Sequence, residues 1–132
     1  MHPLLKKLQY KEEGPMLIVG SPQQFAGTMK ELAPYEIHTE PKEDHYNFIL
    51  IFVKSQHEVE QYAGMAVERL HSDGVLWFAY PKKTSKKYEA DIHRDRGWDA
   101  LNCLNYTGVR QIAIDEDWSA LRFRHKDLIK SK

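Results

Sequence analysis

The sequence holds a single cysteine, Cys103, which rules out an internal disulfide and a cysteine-cluster metal site. It also lacks an excess of charge. Lys+Arg and Asp+Glu both number 19, which argues against a dedicated nucleic-acid coat protein and leaves only local patches. Long hydrophobic runs are missing as well. The longest, residues 48–53, is far too short to span a bilayer, and "MHPLLKKLQYK" reaches Lys6 after two leucines, unlike a signal peptide. A soluble, cytoplasmic protein without a membrane partner is expected. The seven histidines (His2, His38, His45, His57, His71, His93, His125) show no H-E-x-x-H spacing, so no metal site is expected. Repeats, low-complexity tracts and linkers are absent. The 132 residues are expected to form one domain, 1–132, around one core.

What is present is an alternation of apolar runs with helical periodicities, the signature of α/β layers. After a lead bearing Leu4, Leu5 and Leu8, "MLIVG" (16–20) reads as a buried strand. Ser21 is an expected N-cap, Pro22 suits the first helical position, and Gln24 completes a capping box. Phe25, Met29 and Leu32 keep helical spacing until Pro34, and "YEIH" (35–38) is a short strand. "YNFILIFV" (46–53) is apolar on both faces, as a central parallel strand is. Ser55 and Glu58 form a second capping box before a helix with Val59, Tyr62, Ala63, Ala66, Val67 and Leu70 on one stripe. His71 then suits that helix's C-terminal dipole. Ser72-Asp73-Gly74 turns the chain into a further buried strand, "VLWFAY" (75–80). Trp98, Leu101 and Leu104 mark a third helix that includes Cys103 as an inert packing residue, and "VRQIAID" with "WSALRFR" forms a hairpin around 115–117.

This order resembles a shortened class I S-adenosylmethionine-dependent methyltransferase. "RLHSDGVLWFAYPK" is similar to that family's penultimate strand, and "VRQIAIDEDWSALRFR" to its closing antiparallel hairpin. "PLLKKLQYKEEGPMLIVGSP", "GVLWFAYPKKTSK" and "DEDWSALRFR" resemble a family of small bacterial proteins that brings no established activity. The implied fold class is α/β: a single-domain, three-layer, Rossmann-like, mostly parallel sheet with a C-terminal antiparallel hairpin. The resemblance also implies a G-x-G-x-G first loop, where backbone approaches the cofactor closely. The matching segment is "VGSPQQF", with one glycine, Gly20. Glu40 matches the acidic residue that in the family binds the ribose hydroxyls. Only seven residues separate His38 from Tyr46, and Pro41 disfavours helix among them. One strand and two helices of the family pattern are therefore expected to be missing, and no cofactor is expected.

Ligands of open parallel sheets sit at the carboxyl ends of the strands. The loops expected there are 20–22, 39–40, 54–55, 81–87 and 115–118. They supply the ligand-binding candidates Gly20, Ser21, Glu40, Lys82, Lys83, Ser85, Lys86 and Trp118. Within "PKKTSKK" (81–87), ammonium groups, hydroxyls and backbone N–H groups suit an anion. A solvated loop partly neutralised by Asp115, Glu116 and Asp117 is the simpler account. Stacking of nucleic acid on Tyr80, Tyr88, Trp98 or Trp118 is disfavoured, because Tyr80 and Trp98 fit core patterns. His93 with Asp91 and Asp95 can be drawn as a general-base cluster, but Asp91 or Asp95 capping the third helix fits better. Ser21 lacks the second glycine of a nucleophile elbow, and no catalytic residue is assigned. Arg122 and Arg124 share a strand face with Trp118 and Ala120, where they blunt an edge or support a protein contact. The favoured reading is a non-enzymatic binding or regulatory protein whose partner is a protein or a small anionic ligand, and a homodimer is compatible with it. The alternative is a small enzyme or phosphate/nucleotide binder using the carboxyl rim.

Overall fold

The leucine-bearing lead closes into a short helix, α1 (Pro3–Lys7). His2 Nδ1 accepts from the Leu4 N–H at 3.1 Å, and Pro3 sits where a missing N–H costs nothing. At the other end the buried Trp77 indole donates to the Leu8 carbonyl at 2.8 Å. A computed structural model describes residues 2–93 and 96–129 of the chain. The strands are β1 (Met16–Val19), β2 (Ile37–His38), β3 (Tyr46–Phe52), β4 (Leu70–Pro81), β5 (Tyr106–Ala113) and β6 (Trp118–His125). Three further helices follow α1: α2 (Ala26–Glu31), α3 (Gln56–Arg69) and α4 (Asp99–Asn102).

The six strands form one sheet in the order β2-β1-β3-β4-β6-β5. The first four are parallel, and β6 runs antiparallel to both β4 and β5. The apolar run of β3 and the 75–80 segment of β4 lie side by side at the centre, Ile49 opposite Leu76 and Ile51 opposite Phe78. Side chains alternate along them. Ile49, Ile51, Phe78 and Tyr80 pack with Val59, Ala63 and Ala66 of α3 and Leu101 of α4. Phe48, Leu50, Phe52 and Trp77 pack with Leu4, Leu5, Phe25 and Leu32 on the α1/α2 face. The result is the expected three-layer, Rossmann-like α/β architecture with a closing hairpin.

Several local expectations need correction. Ser21 does not cap a helix; Pro22 precedes a 3-10 turn (Gln23–Phe25) with no side-chain cap, and Gln24 turns elsewhere. The 72–74 turn lies inside β4, which begins at Leu70, so His71 is a strand residue rather than a helix terminus. The third helix is only α4, Leu104 is 39% exposed, and Cys103 is an exposed C-cap residue rather than a packed one. Asp91 caps a helix, but it is α3, where its Oδ1 accepts from Gln56 N–H at 2.7 Å. Asp95 lies outside the described residues. Of the expected Ser55–Glu58 capping box, one bond forms and the other shifts: Ser55 Oγ accepts from Glu58 N–H at 3.1 Å, while Glu58 Oε1 accepts from the N–H of Lys54, one residue before the cap, at 2.6 Å.

The short link from β2 to β3 works because β2 is so brief. His38 and Ile49 both pair with Leu17, so they lie level on either side of β1. The chain must drop three residues to Tyr46 and cross two strand spacings, roughly 14 Å in all. Eight residue steps extend to about 26 Å, so seven intervening residues suffice without a helix. The link is pinned at one atom. The buried Tyr46 hydroxyl bonds His38 Nδ1 at 2.6 Å and accepts from the N–H groups of Lys42 and Glu43 at 3.0 and 3.1 Å. His38 Nε2 bonds Glu36 at 2.7 Å, an arrangement that suits the tautomer with its proton on Nε2 and Nδ1 accepting from the Tyr46 hydroxyl. No helix or strand lies between β2 and β3, and β2 ends the sheet.

Candidate functional site

The crossover direction reverses between β1 and β3, and doubly wound sheets bind ligands in the crevice at that point. In this chain the segment after β4 folds back across it. Tyr88 donates its hydroxyl to Gln24 Oε1, beyond β1, at 2.7 Å. Lys54, just beyond β3, places Nζ 5.6 Å from the Tyr88 ring centroid, within cation–π range. Three residues further on, Asp91 reaches the α3 N-terminus. Beneath Tyr88 lies a run of tilted and edge-to-face aromatic contacts in which Tyr88–Trp118, Trp118–Phe52 and Phe52–Phe25 centroids are 5.1, 5.2 and 5.0 Å apart.

Gln24 is the hub of this arrangement. Its amide nitrogen donates to Asp115 at 2.9 Å and to Asp117 at 3.3 Å while its oxygen receives Tyr88. Asp115 Oδ1 accepts from the N–H groups of Asp117 and Trp118, both at 2.8 Å, which closes the β5–β6 turn by the usual Asp side-chain mimicry. Asp117 is 6% exposed. Such a carboxylate needs partners, and Ser85 Oγ donates to it at 2.9 Å. Ser85 Oγ also accepts from Lys87 and Tyr88 N–H at 3.2 and 3.3 Å.

The candidates taken from the sequence therefore separate. Gly20 has φ +72°, and a Cβ there would lie 3.0 Å from the Phe52 carbonyl oxygen. Its freedom is used against the neighbouring strand. Ser21 is half-buried, and Glu40 is exposed just past β2 with no part in the Gln24 cluster. Trp118 is a core side chain, 2% exposed. Ser85 is the pin of the lysine loop. The lysines fall on two flanks of β4. Lys86 and Lys87 share a hollow of about 370 Å³ with Glu116 and Asp117, and Lys87 Nζ is 3.9 Å from Asp117. Lys82 and Lys83 instead line a groove of about 350 Å³ with Tyr80, His93, Gln111 and Ser119 on the α3/α4 face. No metal-holding cluster occurs among the described residues. No helix among them is long and apolar enough to cross a membrane.

Arg122 and Arg124 lie away from this rim. Arg124 makes a two-pronged bond to Asp73 at 2.8 and 2.9 Å, which holds the Asp73 carboxyl below its ordinary range. Burial, with the neighbouring Arg124 and Arg110, lowers the pKa of Arg122. The sequence points to Gln24 only as a capping residue, to Tyr88 only as a disfavoured stacking platform and to Asp117 only as a neutralising charge, not as one cluster. Polar residues abutting Phe25 and Trp118 at strand ends were the available signal, but their pairing spans 64 and 93 positions.

No protein-family model matches the chain, and no curated protein matches it. Solved structures do. The chain is similar to a protein from Sulfolobus solfataricus described as a type 11 methyltransferase, at 12% identity over 94% of this chain and 90% of that one, TM-score 0.56. It is also similar to the N-methyltransferase NodS from Bradyrhizobium japonicum, at 13% identity over 94% and 93% of the two chains, TM-score 0.59. At such identity the likeness concerns the backbone alone. The chain has the Rossmann-like fold of class I methyltransferases, with its sheet ending at β2.

Proposed function

We propose that this chain is a non-enzymatic binding or regulatory protein on a methyltransferase-like scaffold that has no working S-adenosylmethionine site. The observation that carries the reading is Tyr88 lying across the β1/β3 crevice, bonded to Gln24 and covered by Lys54. The residues at the rim fit the cofactor poorly. The first loop has one glycine, turned against Phe52, and Pro22 removes an N–H that a ligand would use. Asp91 and Glu58 occupy N–H groups at the start of α3. The strand and helices expected to wall the adenosine side are absent between β2 and β3.

Calorimetry and thermal shift with S-adenosylmethionine and S-adenosylhomocysteine test this. Ligand at a hundred times its Kd would stabilise the fold by about 2.7 kcal/mol, so binding would be visible. Neither heat nor a Tm change is expected. Micromolar binding by the wild type would overturn the reading. Binding gained by Tyr88→Ala would do so too, since the loop would then be a gate over an intact site.

A further inference from the structure

We infer that the groove at Lys82 and Lys83 is a binding site for a phosphomonoester with a flat or apolar body. It lies on the α3/α4 face of β4 and β6, the opposite face from the Tyr88 crevice, and does not rest on the reading above. Its volume, about 350 Å³, falls within the range of small-molecule sites, about 300–1,000 Å³.

The groove is built from tied backbone. Lys82 N–H donates to the Asp117 carbonyl at 2.8 Å, extending the β4–β6 ladder by a step, and Ser85 N–H closes a turn on the Lys82 carbonyl at 3.0 Å. Lys83 and Thr84 occupy the corner of that turn, so two ammonium groups and a hydroxyl leave one anchored point. Opposite them, Ser119 pairs with Tyr80 across the ladder, and the Tyr80 hydroxyl accepts from Gln111 at 2.6 Å. His93 is fixed on the third side. Its N–H and carbonyl bond Arg96 at 3.1 and 3.0 Å, and its carbonyl also accepts from the Trp98 indole at 2.8 Å.

Charge decides the ligand class. Among the described residues no carboxylate lines the groove, and neither Lys82 nor Lys83 forms an ion pair. Of the acids in the nearby turn, Asp115 and Asp117 are held by Gln24, Ser85 and Lys87, and Glu116 lines the separate hollow of Lys86 and Lys87. Two ammonium groups without a carboxylate partner among the described residues, beside the Thr84 and Ser119 hydroxyls, match a phosphate dianion. Gln111 also borders a second groove of about 450 Å³ floored by Trp98, Leu121 and Phe123. Gly108 leaves that floor open, since a Cβ there would meet the Leu121 side chain at 3.0 Å. An aromatic and aliphatic floor next to a cationic end suits a planar body joined to a phosphate.

The test is an NMR titration of ¹⁵N-labelled protein with inorganic phosphate, adenosine and adenosine monophosphate at low salt. Saturable shifts at the Thr84, Gln111 and Ser119 amides are expected. The monophosphate should bind about tenfold tighter than inorganic phosphate, a difference of about 1.4 kcal/mol. Lys82→Ala/Lys83→Ala should weaken it by about tenfold or more, whereas Lys86→Ala/Lys87→Ala, with the same charge change, should stay within about twofold. Equal losses from the two pairs would reduce the effect to general electrostatics and overturn the site. Adenosine binding as tightly as the monophosphate would overturn the phosphate assignment, and absent shifts would overturn both. Shifts confined to Gly20 and Lys54 would count against this groove and, separately, against a closed crevice.

Discussion

Replacing Tyr46 with Phe removes one oxygen from the pin of the β2–β3 link and leaves the ring in the core, so no cavity cost enters. His38 Nδ1, on a residue 7% exposed, loses its partner at 2.6 Å. An unsatisfied buried acceptor costs about 1–3 kcal/mol. The N–H groups of Lys42 and Glu43 belong to exposed residues and can turn to water, so each gives up at most the net value of a hydrogen bond, about 0.5–1 kcal/mol. A total of about 1–5 kcal/mol is expected, or roughly 4–18 °C in Tm for a chain of this size. Urea unfolding should show it as a lower midpoint with unchanged slope. Hydrogen exchange should speed up at Lys42 and Glu43 first. A loss below about 0.5 kcal/mol, with those amides still protected, would show that the link is held by something other than this hydroxyl.

Two further substitutions probe the same economy of parts. Gly20→Ala forces an alanine to φ +72° with its Cβ 3.0 Å from the Phe52 oxygen, so chemical unfolding should register a loss of about 1–3 kcal/mol; a neutral result would mean that the glycine does not serve the strand contact. Asp73, its pKa lowered chiefly by the hydrogen bond from Arg124, contributes stability that is complete above the ordinary carboxylate value of about 3.9. That contribution is lost as pH falls through the lower folded value. Stability curves of wild type and Asp73→Asn should differ at neutral pH and converge in acid, and curves that stay parallel into acid would refute the pairing.

The central sheet was legible because its evidence is local. Two runs apolar on both faces, residues 46–53 and 75–80, can only be buried from both sides, and the box at Ser55 and Glu58 marks the start of α3 within four residues. The hairpin announced itself by alternation around an acidic turn. The same kind of evidence misled at Ser21, where Ser-Pro-x-Gln imitates a helix start. Gln24 there is engaged by carboxylates 91 and 93 positions away, a competition that no local pattern records. The 82–97 segment failed for the same reason. Tyr88 and Asp91 find their partners 64 and 35 residues back, so charge and capping propensity suggested a solvated loop running into a helix. Its two lysine pairs could be sorted only once the alternation of β4 placed Tyr80 on one face and Ala79 on the other. The missing strand was readable from the methyltransferase resemblance together with spacing, since seven residues bounded the reach of the chain.

The brevity of β2 has a consequence for how molecules of this protein meet one another. An open edge of free N–H and C=O groups invites another sheet to add on. Here one outer edge offers Ile37 and His38, stepping back to Ile18 and Val19 of β1 beyond them, a short and broken template for a foreign strand. The other, β5, is eight residues long but breaks its register between Gly108 and Arg110, and Lys7 donates to the Ala113 carbonyl at 2.6 Å. A bulge and a neighbouring lysine are both recognised deterrents to edge-to-edge growth. A chain that dispenses with an outer strand thus exchanges one exposed margin for another that is harder to extend.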